Sequence, residues 1–185
     1  MKVIGIIPAR YASTRFPGKP LVDLKGKPMI QRVYEGASAC NSLDSVIVAT
    51  DDQRIYDAVK AFGGNVEMTS ESHPSGTDRC GEIAAKYEAD VFVNVQGDEP
   101  LVNPGQIDTL CSAFDDTSVS IATLGHTQVS PDDLGDINRV KVVCDTNGNA
   151  LYFSRSPIPS TERSSDEVKA NFPFMRHIGL YAYRK

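Results

Sequence analysis

Arg10, Ser13, Thr14, Arg15 and Lys19 sit close together on a stretch punctuated by Pro8, Pro17, Gly18 and Pro20. Such a stretch has the means to wrap a polyphosphate. Backbone N–H groups and the hydroxyls of Ser13 and Thr14 can donate to phosphate oxygens, the two arginines can bind them bidentately, and Lys19 adds a point charge. The bland alternative is a solvated basic loop. Position favours the first reading: the stretch directly follows residues 3–7, an apolar run that reads as a buried strand, and open α/β sheets bind ligands at the carboxyl ends of their strands. The chain contains neither Gly-x-x-x-x-Gly-Lys-Ser/Thr nor Gly-x-Gly-x-x-Gly, so the two commonest phosphate-binding loops are excluded.

A second constellation, Gln96-Gly97-Asp98-Glu99, follows the apolar run 91–95. A carboxylate at that strand end faces the same sheet edge as the basic stretch. Asp98 is therefore placed to hold Mg²⁺ against phosphates, since Mg²⁺ takes one or two carboxylates together with phosphate oxygens and water. The competing role for Asp98 and Glu99 is capping of a helix over 104–114, for which Asn103 is the better cap. Ser75, Gly76, Thr77 and Arg79 follow a third strand pattern and could read a base or a ribose; alternatively Ser75 or Thr77 caps a helix beginning near Arg79. Arg155, Arg176 and His177 could bind the carboxylate and hydroxyls of an acidic sugar, or be ordinary surface and strand residues. No Ser/His/Asp or Cys/His arrangement is present, so covalent catalysis is not expected.

These residues need a scaffold, and the apolar spacing supplies one. Strand patterns fall at 3–7, 46–49, 66–68, 91–95, 120–124, 140–143, 150–154 and 178–183. Helical spacing falls at 30–37, 55–62 and 104–114, with Pro28 opening the first, Asp51 capping the second and Gly63-Gly64 closing it. Alternating strands and helices predict βαβ units in a three-layer α/β fold with a mostly parallel sheet. The closely spaced strands after about residue 119 leave room for antiparallel pairs, with Asn147-Gly148 as a turn. Residues 156–173 are polar, without periodicity, and read as a long loop.

At 185 residues, with 41% apolar and 23% charged side chains, the chain is expected to be one domain, 1–185. A net charge of −5 argues against a general nucleic-acid partner and makes the basic stretch a local feature. No apolar run approaches ~18 residues, and no signal-peptide pattern opens the chain, so no membrane partner is expected. The four cysteines, Cys40, Cys80, Cys111 and Cys144, lack metal-ligand spacing and read as reduced apolar residues of a cytoplasmic protein.

Six segments taken together resemble one family: residues 7–21 (IPARYASTRFPGKPL), 48–52 (VATDD), 68–79 (MTSESHPSGTDR), 94–100 (NVQGDEP), 150–155 (ALYFSR) and 176–184 (RHIGLYAYR). In this order they are similar to the 3-deoxy-manno-octulosonate (Kdo) cytidylyltransferases, or CMP-Kdo synthetases. Sialate cytidylyltransferases share only the general form of the first segment. The resemblance implies a Rossmann-like nucleotide-diphospho-sugar transferase fold and the reaction of CTP with Kdo to give CMP-Kdo and pyrophosphate, towards lipopolysaccharide, with Mg²⁺ and as a homodimer. It implies that Arg10 and Lys19 bind CTP phosphates, Ser75, Gly76 and Thr77 the cytidine side, and Asp98 the metal. It places Gln96, Arg155, His177 and Tyr181 around the sugar. Family members continue for several tens of residues and carry a further metal-binding Asp in a Val-Asp-Thr/Tyr-Pro-Glu-Asp-like motif. The chain stops at Arg184-Lys185 after a strand pattern, so a C-terminal truncation is expected, with weak metal binding and low turnover. A cytidylyltransferase for another acidic sugar, such as a sialic acid or an amino-Kdo, and a nucleotide-binding remnant without turnover are the alternatives.

Overall fold

Strand β1 (Val3–Ala9) is buried almost throughout, because residues of both parities meet apolar partners. Ile4 and Ile6 pack with Ile47, Ala49, Phe92 and, from a helix, Cys80 and Ile83. The intervening Val3 and Ile7 are equally buried, which is the signature of a parallel strand covered on both faces. The structure is a computed structural model and describes every residue except 13–15, 128, 161, 164, 166 and 168–171.

Helix α1 (Met29–Ser38) buries Ile30, Val33 and Ala37 of the stripe expected from the spacing, with Met29 added and Tyr34 half-buried. Strand β2 (Ser45–Thr50) pairs parallel with β1. Helix α2 (Gln53–Ala61) buries Ile55 and Val59, but its cap is Asp52, not the expected Asp51: the Asp52 side chain accepts from Arg54 N–H. Strand β3 (Val66–Met68) adds to β2 in parallel. Helix α3 (Gly76–Lys86) starts three residues before the expected Arg79, capped by Ser75, and packs on β1, β2 and β4. Strand β4 (Val91–Asn94) is parallel to β1 on the side away from β2. Helix α4 (Pro104–Ser112) is capped by Asn103, as expected, and tightens into a 3-10 turn at Ala113–Asp115 where a longer α-helix had been read.

The described residues cluster into two compact units. The first comprises Met1–Ala122 with Leu180–Lys185, the second Thr123–Gly179. In the first, the C-terminal part of β8 (Met175–Arg184) runs antiparallel to β4, with Asn94 opposite Tyr181. Strand β5 (Ile121–His126), whose residues are divided between the two units as those of β8 are, pairs with β8. In the second, β6 (Lys141–Cys144) and β7 (Ala150–Ser154) form a hairpin whose turn contains Gly148 at φ 84°, and β6 also pairs antiparallel with the start of β8. The α/β reading therefore holds, with a mixed sheet: parallel among β1 to β4 and antiparallel in the pairs β4–β8, β6–β7 and β6–β8. The short helix α5 (Pro131–Gly135) was not anticipated, because five residues are too few to show a period; the Ser130–Asp133 capping box is its only sequence mark.

Candidate active site

Two adjacent parallel strands, β1 and β4, end at the same sheet edge, and the N-terminus of α3 opens beside them. A cavity of about 460 Å³ lies there, within the range of small-molecule sites. Pro8, Ala9, Arg10 and Ala12 line it from the end of β1, Lys19 and Pro20 from the following turn, Gly76 and Arg79 from α3, and Gln96, Gly97 and Asp98 from the end of β4. All belong to the first unit.

Close backbone approach holds this lining together. Val95 N–H continues the β1–β4 ladder onto Ile6 O at 2.9 Å. A Cβ at Gly97 would lie 2.6 Å from Pro8 O, so only glycine lets the two strand ends meet. Gly18 adopts φ 72° at the start of a 3-10 turn (Lys19–Leu21), which turns the Lys19 side chain back toward β4. Lys19 Nζ there donates to Asp98 Oδ2 at 2.6 Å, with both side chains about half exposed.

Gly76 presents the first turn of α3, where free N–H groups and the helix dipole favour an anion. The Ser75 hydroxyl is committed to the cap: it accepts from Asp78 N–H and donates to Asp78 Oδ2. The segment leading into this cap is fastened to α3 by Glu82, which accepts from Ser70 N–H, bonds His73 Nε2 at 2.6 Å and pairs with Lys86 at 2.7 Å. The Lys86 ammonium, then the Ser70 amide and His73, pull the Glu82 carboxyl down to about 2.

Arg79 was expected to read a base or ribose. It lines the cavity, but its side chain is only 1% exposed and its guanidinium is engaged with protein: Nη2 donates to Asp51 Oδ2 at 2.5 Å, and Nη1 to Thr69 Oγ1 and to Ser70 O. Asp51 follows β2 and Thr69 follows β3, so one buried cation ties both strand ends to α3. Sequence reading missed this pairing; the signal was two polar residues at successive strand ends with no cap left for Asp51 to fill.

Of the other expected site residues, Gln96 lies in the cavity lining and Thr77 is exposed on α3 outside it. Ser13, Thr14 and Arg15 lie outside the described residues. Tyr181 stacks on Tyr183, ring centroids 6.3 Å apart. Arg155 and His177 belong to the second unit. There, Arg155 Nη1 donates to Ile137 O, and His177 Nε2 is 2.9 Å from Thr123 Oγ1 with its ring edge-on to Phe153. Burial lowers the His177 pKa, favouring a neutral imidazole that offers hydrogen bonds in place of a charge. Lys141, which drew no attention in the sequence, is fully buried in this unit and donates to the carbonyls of Asp136, Arg139 and Arg155. A lysine inside an apolar strand pattern was the available signal.

The sequence profile of a family described as cytidylyltransferase matches residues 4–185. A 3-deoxy-manno-octulosonate cytidylyltransferase of Parabacteroides distasonis is 56% identical over 191 residues, spanning 100% of this chain and 75% of that protein. The protein of the same name from Escherichia coli is 48% identical over 185 residues, spanning 100% of this chain and 73% of its own length. Among solved structures, one of CMP:2-keto-3-deoxy-manno-octonic acid synthetase complexed with CTP matches with a TM-score of 0.92 at 47% identity, covering 100% of this chain and 74% of that one. The chain belongs to the 3-deoxy-manno-octulosonate cytidylyltransferase family.

Proposed function

We propose that this protein transfers the CMP group of CTP to Kdo, releasing pyrophosphate, as a step towards lipopolysaccharide. The observation that carries the reading is the cavity at the ends of β1 and β4, with Arg10, Lys19 and Asp98 on its wall, in a chain that matches a CTP complex along its full length. A hydroxyl of the sugar acid attacks the α-phosphorus. A new O–P bond forms, the bond to the bridging oxygen of the leaving pyrophosphate breaks, and the hydroxyl proton is lost. Arg10 and Lys19 counter the charge that accumulates on the triphosphate oxygens, and the α3 N-terminus at Gly76 adds aligned N–H groups. Covalent participation by the protein is not required, so positioning and charge compensation supply the rate.

Mg²⁺ is the metal the donor set fits. Among the described residues no group of three or more His, Cys, Asp and Glu side chains could hold a metal ion alone. Asp98 supplies a single half-exposed carboxylate at the cavity, which suits an ion that takes its remaining ligands from phosphate and water. When bound, Mg²⁺ would neutralise triphosphate charge and polarise the phosphorus. The family resemblance assigns Arg155 and His177, and separately Gln96 and Tyr181, to the acidic sugar. Dimerisation is supported by Leu151, Tyr152 and Phe153, an exposed apolar run on β7. A cytoplasmic setting is supported by four free thiols. Burial pushes Cys40 up to about 11 and Cys80 and Cys111 to about 12, which keeps them protonated and inert.

Pyrophosphate release measured with CTP, Mg²⁺ and a panel of 2-keto sugar acids tests the reading. Turnover with Kdo above all others is expected. Arg155→Ala or His177→Gln should raise the KM for the sugar acid and leave CTP affinity unchanged. Preference for a different sugar acid would overturn the substrate assignment, and a matching loss of CTP affinity would overturn that of Arg155 and His177.

A further inference from the structure

We infer that Tyr11 and Arg54 form a clasp that sets the separation of Arg10 and Lys19, which makes both of them positioning residues for the nucleotide. The inference rests on the reading of the cavity as the site of the CTP phosphates.

Gly18 N–H donates to Tyr11 O at 2.9 Å. This bond ties residue 11 to residue 18 and forms a neck there. Arg10 immediately precedes the neck and Lys19 immediately follows it, so the two cavity cations stand one residue to either side of the Tyr11–Gly18 bond. Whatever fixes the neck fixes the distance between them.

The Tyr11 side chain reinforces the neck. A Cβ on Gly18 would lie 3.0 Å from the phenol carbon Cζ and 3.1 Å from the phenol oxygen, and Gly18 has φ 72°. The ring therefore packs against bare backbone, in a conformation that favours glycine. The guanidinium carbon of Arg54, on α2, lies 3.3 Å from the centroid of the same ring, well inside cation–π range.

Arg54 is itself held in place. Its Nε and Nη2 donate to the two carboxylate oxygens of Asp52, at 2.9 and 2.6 Å, the fork geometry that orients a guanidinium plane. Asp52 caps α2, and α2 is anchored by the fully buried Ile55 and Val59. The chain of contacts runs from a rigid helix through Asp52 and Arg54 to the Tyr11 ring, the neck and the two cations. Arg54 is 59% exposed, so its ion pair adds little to global stability; its effect is orientation. Neither Tyr11 nor Arg54 carried a role in the sequence reading, because their pairing links residues far apart in the chain.

Two measurements on the whole chain test the clasp. Hydrogen exchange at the Gly18 amide reads the neck without any nucleotide, and calorimetric CTP titration reads its consequence. Arg54→Ala and Tyr11→Leu should speed Gly18 exchange and weaken CTP binding about three- to tenfold, with melting temperatures close to the parent's. Tyr11→Phe, which keeps the ring, should restore both. The double variant Tyr11→Leu/Arg54→Ala should lose no more affinity than the worse single one. Unchanged Gly18 exchange in Arg54→Ala would overturn the clasp whatever the nucleotide result. Faster exchange with parental CTP affinity would overturn its positioning role alone. Failure of the unmodified chain to bind CTP would overturn the reading of the cavity and the positioning role with it, while the exchange arm still reports on the neck.

Discussion

Lys19 Nζ and Asp98 Oδ2, 2.6 Å apart, join the turn after β1 to the loop after β4. The side chains are 38% and 53% exposed, so the pair is worth no more than about 1 kcal/mol to the fold. Its meaning lies in complementarity. Each member matches one half of a metal–nucleotide complex, Lys19 the phosphate and Asp98 the cation.

Arg10→Ala and Lys19→Ala should each weaken CTP binding by about 1.5–3 kcal/mol, or roughly 10- to 150-fold, since each removes a charge-assisted contact. Melting temperatures should stay within about 4 °C of the parent's, because the Lys19 pair is exposed. Calorimetric titration showing parental affinity in both variants would remove the phosphate assignment.

Asp98→Asn keeps size and polarity and discards the charge. It should abolish Mg²⁺-dependent pyrophosphate release while circular dichroism and melting remain parental. Release at the normal rate with limiting Mg²⁺ would show that the metal takes its carboxylate elsewhere.

Much of this arrangement was legible from local signals. The spacing of Ile30, Val33 and Ala37 marks α1, and the apolar runs at 46–49 and 66–68 mark β2 and β3, because burial in these elements is decided by period. The placement of Arg10, Lys19 and Asp98 at one sheet edge followed from strand ends alone. What stayed hidden depends on contacts across the fold. Asp51 was read as a cap because it directly follows a strand; Asp52, one residue on, fills that position, and Asp51 turns to Arg79. Arg79 looked like a ligand because its charge suggested solvent, yet it is buried against three strand-end groups. Lys141 shows the same limit: three backbone carbonyls satisfy its ammonium, and none of them lies in a recognisable motif.

Gly97→Ala should destabilise the protein by about 1–3 kcal/mol, since its Cβ would meet a backbone oxygen, Pro8 O, that cannot swing aside. The same displacement separates the ends of β1 and β4, so CTP affinity should fall as well. A Gly148→Ala control perturbs a turn in the second unit and should lower stability without changing CTP affinity. Parental melting and affinity for Gly97→Ala would contradict the close approach.

Glu82 is held at about 2, well below the usual carboxylate range, by Lys86, the Ser70 amide and His73. A carboxyl with a depressed folded-state pKa stabilises the protein fully above its unfolded pKa, and that contribution is lost as pH falls through the folded one. The melting-temperature gap between the parent and Glu82→Gln should therefore be constant near neutral pH and shrink from about pH 4.5 towards about pH 2. A gap independent of pH across that window would mean that the carboxylate charge does not hold the 70–75 segment.

Asp51→Leu should be more damaging than any change at the exposed cavity residues. It leaves Arg79, 1% exposed, with a buried charge and only the Thr69 hydroxyl and Ser70 carbonyl as partners. Breaking a buried pair from one side costs about 3–5 kcal/mol, which for a chain of this size lowers the melting temperature by about 6–20 °C. Arg79→Met alone should cost less, because Asp51 keeps 18% of its side chain in contact with water and can be solvated. Joining the two as Asp51→Leu/Arg79→Met removes both charges, so the double variant should be more stable than Asp51→Leu by itself. CTP affinity separates the two roles open to Arg79. If it serves only to tie β2 and β3 to α3, the double variant should bind CTP nearly as well as the parent. A large loss of affinity in a double variant that has regained its stability would mean that the guanidinium also reaches the nucleotide.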